Sequence, residues 1–379
     1  MNRMTKIMAS VAVAALGLSA CSSEPALTLS GLDPQDFVGE KGGKATALYT
    51  LTNANGMEVC ITNFGGRLVS VMVPDRDGKM TDVILGFDNI QDYMTLPSDF
   101  GASIGRYANR IAGGTFELDG QTVVLNQNDG PNCLHGGAEG WQYQVYEAEL
   151  LDPQTLQLTI NDPDGHMGFP GNVTAVVTYK LTDDNAIDIT YSGTADKPTV
   201  LSMTNHAYFN LSGNHGVEGT DMVLYVNADT FTPADAKLIP TGEMRPVEGT
   251  PFDFRTPKAI GQDINQDDEQ LLLGNGYDHN WVLKTKGDIT KVAAKLSSPV
   301  TGITMEVYTN EPGVQVYTGN FLDGTVTGKK DIVYGQRTGI CLETQKYPDT
   351  PNKAEWPSCV LRPGETYTSR CIFAFGVRE

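Results

Sequence analysis

What most restricts this chain is the lack of any sustained helical spacing of apolar residues. From Ala47 to the C-terminus, β-branched and aromatic residues come instead in short runs, each closed by turn-forming residues. Residues 48–52 and 57–63 flank Asn55-Gly56, a pair that tolerates the positive φ angles of a tight hairpin turn. Residues 67–73 run into Pro74-Asp75-Arg76-Asp77-Gly78, and residues 81–85 follow. Residues 173–181 and 186–192 flank Asp183-Asp184-Asn185 and form another predicted hairpin. In its second strand Ile187 and Ile189 alternate with Asp188 and Thr190, the period of two of a half-buried strand. Residues 303–309 and 314–318 flank Asn310-Glu311-Pro312-Gly313, and residues 367–377 close the chain. Residues 263–273 are the best short-helix candidate. The 41 Gly and 20 Pro thus mark turns between strands rather than disorder. With no fixed-period repeat and no linker within residues 40–379, a propeller is disfavoured. The expectation is an all-β chain, one large antiparallel β-sandwich with a cleft on its open concave face.

The N-terminus reads as an address. Arg3 and Lys6 precede an apolar stretch from Ile7 to Leu18, too short to span a bilayer, and Ser19, Ala20 and Cys21 follow. The ending Leu18-Ser19-Ala20-Cys21 resembles a bacterial lipobox, in which the Cys becomes the lipidated first residue of the mature chain. The alternative is an ordinary signal peptide cleaved nearby, with Cys21 incidental. On the lipobox reading, residues 1–20 are a lipoprotein signal peptide, 21–39 a polar tether and 40–379 the domain. The protein is then exported to the bacterial cell envelope, periplasmic or outer-membrane, and touches a membrane only through its lipid anchor. The 46 acidic against 27 basic side chains give a formal charge of −19, or −21 without residues 1–20, which argues against a nucleic-acid partner. Cys60, Cys133, Cys341, Cys359 and Cys371 include no Cys-x-x-Cys spacing, so neither a zinc cluster nor a disulfide scaffold is expected. One disulfide is compatible with an oxidising envelope, but spacing does not choose its pair.

The five His residues can be taken singly. His135 lies in Asn132-Cys133-Leu134-His135-Gly136-Gly137, where the glycines imply a turn with close backbone approach. His206 lies in a stretch from Thr204 to Leu211 dense in hydrogen-bonding groups and aromatics, and His279 follows Asp278. His166 and His215 sit among Gly, Asp and Asn and read as solvated loop residues. Any one His is more often a satisfied structural residue than a catalytic one. Arg110 is as readily a solvated charge. Glu343 follows the apolar approach Gly339-Ile340 to a strand, where partial burial raises a carboxyl pKa and suits it to base work near neutrality. The alternative for Glu343 is a surface position on an edge strand. The chain contains no Gly-x-Ser-x-Gly elbow, no Gly-x-x-x-x-Gly-Lys-Ser/Thr loop and no His-Glu-x-x-His helix, so hydrolase, nucleotide and zinc readings lack support.

In chain order, Gly105 to Ile111, Leu134-His135-Gly136-Gly137, Thr204 to Leu211, Tyr277-Asp278-His279-Asn280, Glu311 to Asn320 and Leu342 to Asn352 resemble the motif set of the aldose 1-epimerases, or galactose mutarotases. The resemblance covers essentially all of the chain from about residue 40. It implies a galactose mutarotase-like supersandwich with a sugar-binding cleft, and an isomerase that interconverts the α and β anomers of free aldohexoses such as glucose and galactose. In that reaction the C1 hydroxyl loses a proton while the ring oxygen gains one. The ring opens to an aldehyde, C1–C2 rotates, and the reverse steps close it on the other face. One base and one acid are needed, each titrating near the working pH. By resemblance Glu343 is the base on the C1 hydroxyl and His206 the acid on the ring oxygen. Asn109, Arg110 and Asp278 resemble hydroxyl-binding residues, and His135 a second cleft His near the ring oxygen. Tyr208 lies beside the acid, and Gln315 orients the substrate or Glu343. The chemistry requires no organic cofactor, and no metal is assigned. The acidic loops offer oxygen ligands to a structural cation such as Ca²⁺, but no ligand spacing selects one. A small sugar is the expected partner and the chain is expected to be a monomer.

Three positions depart from the family's usual pattern and leave the preferred sugar open. Lys346 stands where the family often has His, His166 where an acidic residue is common, and Trp281 where a smaller aromatic is usual. Two rival functions are a non-catalytic carbohydrate-binding lipoprotein on the same sandwich and an epimerase of phosphorylated sugars. The presence of both Glu343 and His206 argues against the first, and the acidic balance against the second.

Overall fold

A computed structural model describes residues 26–378. The signal peptide, Cys21 and the first residues of the expected tether lie outside them. The alternation read at Ile187 and Ile189 runs through the neighbouring strands as well. In Val173–Leu181 the residues Val173, Ala175, Val177, Tyr179 and Leu181 are buried, and the residues between them face outward. These strands belong to a nine-stranded antiparallel sheet. Its order is Glu147–Asp152, Thr155–Asp162, Val173–Leu181, Ala186–Ala195, Tyr367–Val377, Ile303–Thr309, Ala294–Ser297, Val223–Val226 and Lys258–Ala259. A five-stranded sheet follows the order Arg245–Pro246, Ala228–Thr232, Asp278–Leu283, Gly313–Tyr317, Cys341–Gln345. A four-stranded sheet is made of Leu48–Thr52, Glu58–Thr62, Arg67–Pro74 and Met80–Asp82. One apolar cluster draws on all three, with Val59 and Val71, Val177 and Phe373, and Trp281, Val316 and Leu342 among its members. The fold is therefore the all-β antiparallel sandwich expected, with one shared core.

Several local readings are refined. The Asn55-Gly56 hairpin pairs Leu48–Thr52 with Glu58–Thr62 in register. The strands around Asn310-Glu311-Pro312-Gly313 do not pair with each other: Thr309 pairs with Cys371 in the large sheet, whereas Gly313 pairs with Val282 and Gln345 in the five-stranded one. The helix expected over 263–273 is shorter, Glu269–Gly274, because Asp268 caps it by accepting from the Gln270 and Leu271 N–H groups and Asn275 closes it in the left-handed region. A helix that was not expected, Ile90–Thr95, starts at the cap Asn89.

Part of the tether expected over 21–39, from about residue 28 onward, is corrected. The Leu29 N–H donates to Glu58 Oε1 at 2.8 Å, the Ser30 hydroxyl donates to Ser70, and Leu32 and Phe37 are buried. Two apolar anchors in a polar stretch suffice to dock it, so the packed domain begins near residue 28. Cys60, Cys133, Cys341, Cys359 and Cys371 are buried free thiols. His215, expected to be solvated, is buried, donates from Nε2 to the Asp82 carbonyl at 2.9 Å, and is pushed down to about 4 by that burial.

Candidate active site

Strand alternation sorts the five-stranded sheet into two faces. On Asp278–Leu283, Gly313–Tyr317 and Cys341–Gln345, the side chains of Trp281, Val314, Val316 and Leu342 enter the core. Asp278, Gln315, Tyr317 and Glu343 share the opposite face, with Gln315 paired directly across from Glu343. His279 is thereby separated from its neighbour Asp278: it packs on Phe231 and Phe252, and its Nε2 lies 3.2 Å from Gln270. Loops cover the second face, so Gly313–Tyr317 and Cys341–Gln345 are buried throughout. They leave a cleft of about 360 Å³.

His206 reaches this cleft from the short strand Thr204–His206, which pairs with Ala102–Ile104. Its Nε2 lies 3.5 Å from Glu343 Oε1, and the two side chains are only 5% and 2% exposed. The imidazole stacks on Tyr208, with ring centroids 5.0 Å apart, and meets the edge of His135 at 5.1 Å. Burial pushes the Glu343 carboxyl up to about 7; the charges of Asp278 and Asp99 act in the same direction, and His206 and Arg110 oppose it. Glu343 Oε2 and His206 Nδ1 are shielded and have no hydrogen-bond partner among the described residues.

The hydroxyl-binding candidates are held from beneath. Asn109, in the left-handed region at φ 66°, donates its N–H to His135 Nδ1 at 3.1 Å and accepts the His135 N–H at its carbonyl. Because Nδ1 accepts, the proton of the neutral ring sits on Nε2. Burial pushes His135 down to about 3, so it stays neutral. The next residue, Gly136, has φ 84°, and a Cβ there would meet the Gly105 carbonyl oxygen at 2.1 Å, which is the close approach the glycines implied. Arg110 pairs with Asp129 at 2.8 Å and lies 3.8 Å from Asp278, whose other oxygen accepts from Gln315 Nε2 at 2.7 Å.

His206, Glu343, Asn109, Arg110, His135, Tyr208 and Asp278 all line the cleft. Gln315 does not. Its Nε2 donates to Asp278, and it sits directly across from Glu343 on the same face. Asp99, Tyr317 and Phe321 also line the cleft and were not anticipated. Asp99 carries no motif signal, whereas Phe321, 57% exposed beside an Asp-Gly turn, is an apolar ring with no core to explain it.

A buried carboxyl poised near neutrality beside an imidazole, over a floor of polar side chains, can serve as an acid/base pair. The aldose 1-epimerase family model matches residues 47–374. The chain belongs to the aldose 1-epimerase family. It is 41% identical over 335 residues to the aldose 1-epimerase of Escherichia coli (strain K12), covering 88% of this chain and 96% of that protein. It is 42% identical over 321 residues to human galactose mutarotase, covering 85% and 92%. Among solved structures, galactose 1-epimerase from Lactobacillus acidophilus NCFM superposes with a TM-score of 0.80 at 33% identity, covering 90% of this chain and 97% of that one. As a member of this family the protein is an isomerase.

The three departures from the usual family pattern all fall outside the cleft lining. Lys346 donates to Glu311 Oε2 at 2.8 Å, and Trp281 donates its indole N–H to the Phe252 carbonyl inside the core. His166 pairs with Asp162 at 2.6 Å, which raises its pKa, so it is half-buried and bonded rather than a solvated loop residue. Among the described residues, two groups are close enough to share a cation, Asp99 with His135 and His206, and Cys341 with His206 and Glu343. Both include His206, and an imidazole nitrogen bound to a cation cannot also carry a proton.

Proposed function

We propose that the protein interconverts the α and β anomers of free aldohexoses, glucose and galactose among them, with Glu343 as base and His206 as acid. The observation that carries this is the 3.5 Å approach of His206 Nε2 to Glu343 Oε1 in a shielded cleft. The C1 hydroxyl and the ring oxygen are bonded to the same carbon, so the groups that serve them must be neighbours. Ionised Glu343 takes the C1 hydroxyl proton and His206 gives one to the ring oxygen. The C1–O5 bond breaks, C1 becomes an aldehyde, and rotation about C1–C2 presents its other face to the returning oxygen. In the reverse step Glu343 returns its proton and His206 recovers its own. Asp278, Arg110 and Asn109 hold hydroxyls. Neutral His135 offers its Nε2–H, and Tyr208 stacks on the acid and fixes its plane. Such proton transfer calls for no organic cofactor.

Relatives named for galactose support that sugar as one substrate. Asp99, Asp278 and Glu343 line the cleft against Arg110, the one Lys or Arg among its described lining residues, which supports neutral rather than phosphorylated sugars. Polarimetry of freshly dissolved α-glucose and α-galactose tests the reading. Acceleration over buffer is expected, with Glu343→Gln and His206→Asn each lowering kcat about 10²- to 10⁴-fold; no acceleration with any common aldose rejects it.

We also propose that Cys21 anchors a monomeric enzyme in the bacterial cell envelope, supported by the order of basic, apolar and small residues before it. Labelled fatty acid should enter the chain and be lost in Cys21→Ser; unlabelled parent protein would refute the anchor. A single-chain mass in light scattering checks the monomer.

A further inference from the structure

Asp99 has no part in the reaction as proposed, yet the fold fixes it in the cleft. The carbonyls on either side of it, Ser98 O and Phe100 O, both accept from the Arg67 guanidinium, at 2.9 and 3.0 Å. Arg67 is wholly buried, with its guanidinium against the rings of Phe64, Tyr93 and Tyr143. The Asp99 carbonyl in turn accepts the Ala102 N–H at 3.0 Å. The backbone is thus clamped before, at and after Asp99, while the side chain lines the cleft. Its Oδ1 is shielded from solvent and has no hydrogen-bond partner among the described residues. A shielded carboxylate oxygen without a donor is unfavourable, so this position calls for a donor from a ligand.

The neighbours of Asp99 say which donor. Ligand atoms of Asp99, His135 and His206 lie within 4.8 Å of one another, and His206 belongs equally to a second set with Glu343 and Cys341. His206 therefore joins the Asp99 and His135 set to the Glu343 set. The reaction places the C1 hydroxyl at Glu343 and the ring oxygen at His206. Passing round the ring from C1 through that oxygen, the next atom is C5, and its substituent in an aldohexose is the hydroxymethyl group. Asp99 can only accept there, and His135, whose Nδ1 is occupied by the Asn109 N–H, can donate from Nε2. One acceptor and one donor in the same group of side chains match a hydroxyl, which needs both.

We propose that Asp99, together with His135, binds the C6 hydroxyl of the sugar and so selects aldohexoses over aldopentoses and 6-deoxy sugars. The assignment rests on the anomer-interconverting reading of the same cleft, and Asp99 is a specificity-determining residue within it. The experiment compares glucose, 6-deoxyglucose and xylose by polarimetry, for the parent protein and for Asp99→Asn, an isosteric change. The parent should prefer glucose. In the variant the ratio of kcat/KM for glucose to that for each of the other two sugars should fall roughly tenfold to a hundredfold, the worth of one charge-assisted hydrogen bond. The two sugars that lack the hydroxyl report whether the variant is folded, and a general loss of structure would lower all three rates together. A ratio within about twofold of the parent's overturns the proposal, whatever happens to the absolute rates. A parent protein that accelerates no sugar overturns the epimerase reading and this assignment with it, a result distinct from an unchanged ratio.

Discussion

The Glu343 carboxyl, buried and facing the charges of Asp278 and Asp99, titrates at about 7 in the folded protein. A base must be ionised to act, so kcat/KM for glucose should fall as pH drops below about 7; a flat profile from pH 5 to 7 contradicts the assignment. The same shift has a consequence for stability. The folded pKa lies above the ordinary value of 4.5, so the unfolded chain releases this proton first. The contribution of this carboxyl to stability therefore falls as pH rises from about 4.5 to about 7, by roughly 3 kcal/mol over the whole window, while buried His135 and His215, whose pKa values are depressed, act the other way below about 6.5. Glu343→Gln removes that contribution alone. At pH 8 the inactive variant should melt above the parent, and a lower melting temperature there would mean that Glu343 is bonded and not merely desolvated. The functional promise of Glu343 was legible from its apolar approach to a strand, but the extent of the shift was not. It depends on loops that cover the sheet from elsewhere in the chain.

At the scale of elements, three adjacent strands set the floor of the cleft by alternation alone. Gln315 and Glu343 lie opposite each other, and Gln315 reaches along the same face to Asp278. Gln315→Ala should thus loosen Asp278 while leaving the acid and base in place. Steady-state kinetics with galactose should show KM raised by about tenfold, as for the loss of one hydrogen bond to a charged group, with kcat changed far less. An equal loss in kcat would place Gln315 in the chemistry. Hairpins were readable wherever a short turn joined strands of one sheet, as at Asn55-Gly56. The turn at Asn310–Gly313 has equally good turn residues, yet it carries the chain between sheets. Local turn chemistry makes the chain reverse; it does not say which neighbour is waiting.

For the whole molecule, the docking of residues 28–37 shows how little apolar surface recruits a polar segment into a large core. Phe37 is fully buried on a cluster that includes Phe64, Tyr93 and Tyr208, the last of which also lines the cleft. Phe37→Ala should cost about 3–5 kcal/mol in urea unfolding, the range for an emptied aromatic site in a core. A cost below about 1 kcal/mol would show that the segment is a tether after all.

Alternation, turn residues and motif order were enough by themselves to determine an all-β chain, its family and the residue types its chemistry uses, because those properties are local or linear. Only the tertiary structure decided which strands share a sheet, that His206 and Glu343 meet, and that His215 is buried. It alone placed Gln315 under Asp278 and clamped Asp99 into the cleft through Arg67. Each of those outcomes depends on desolvation and on hydrogen-bond partners supplied from distant parts of the chain. Period and spacing report only on near neighbours, and so carry no record of them.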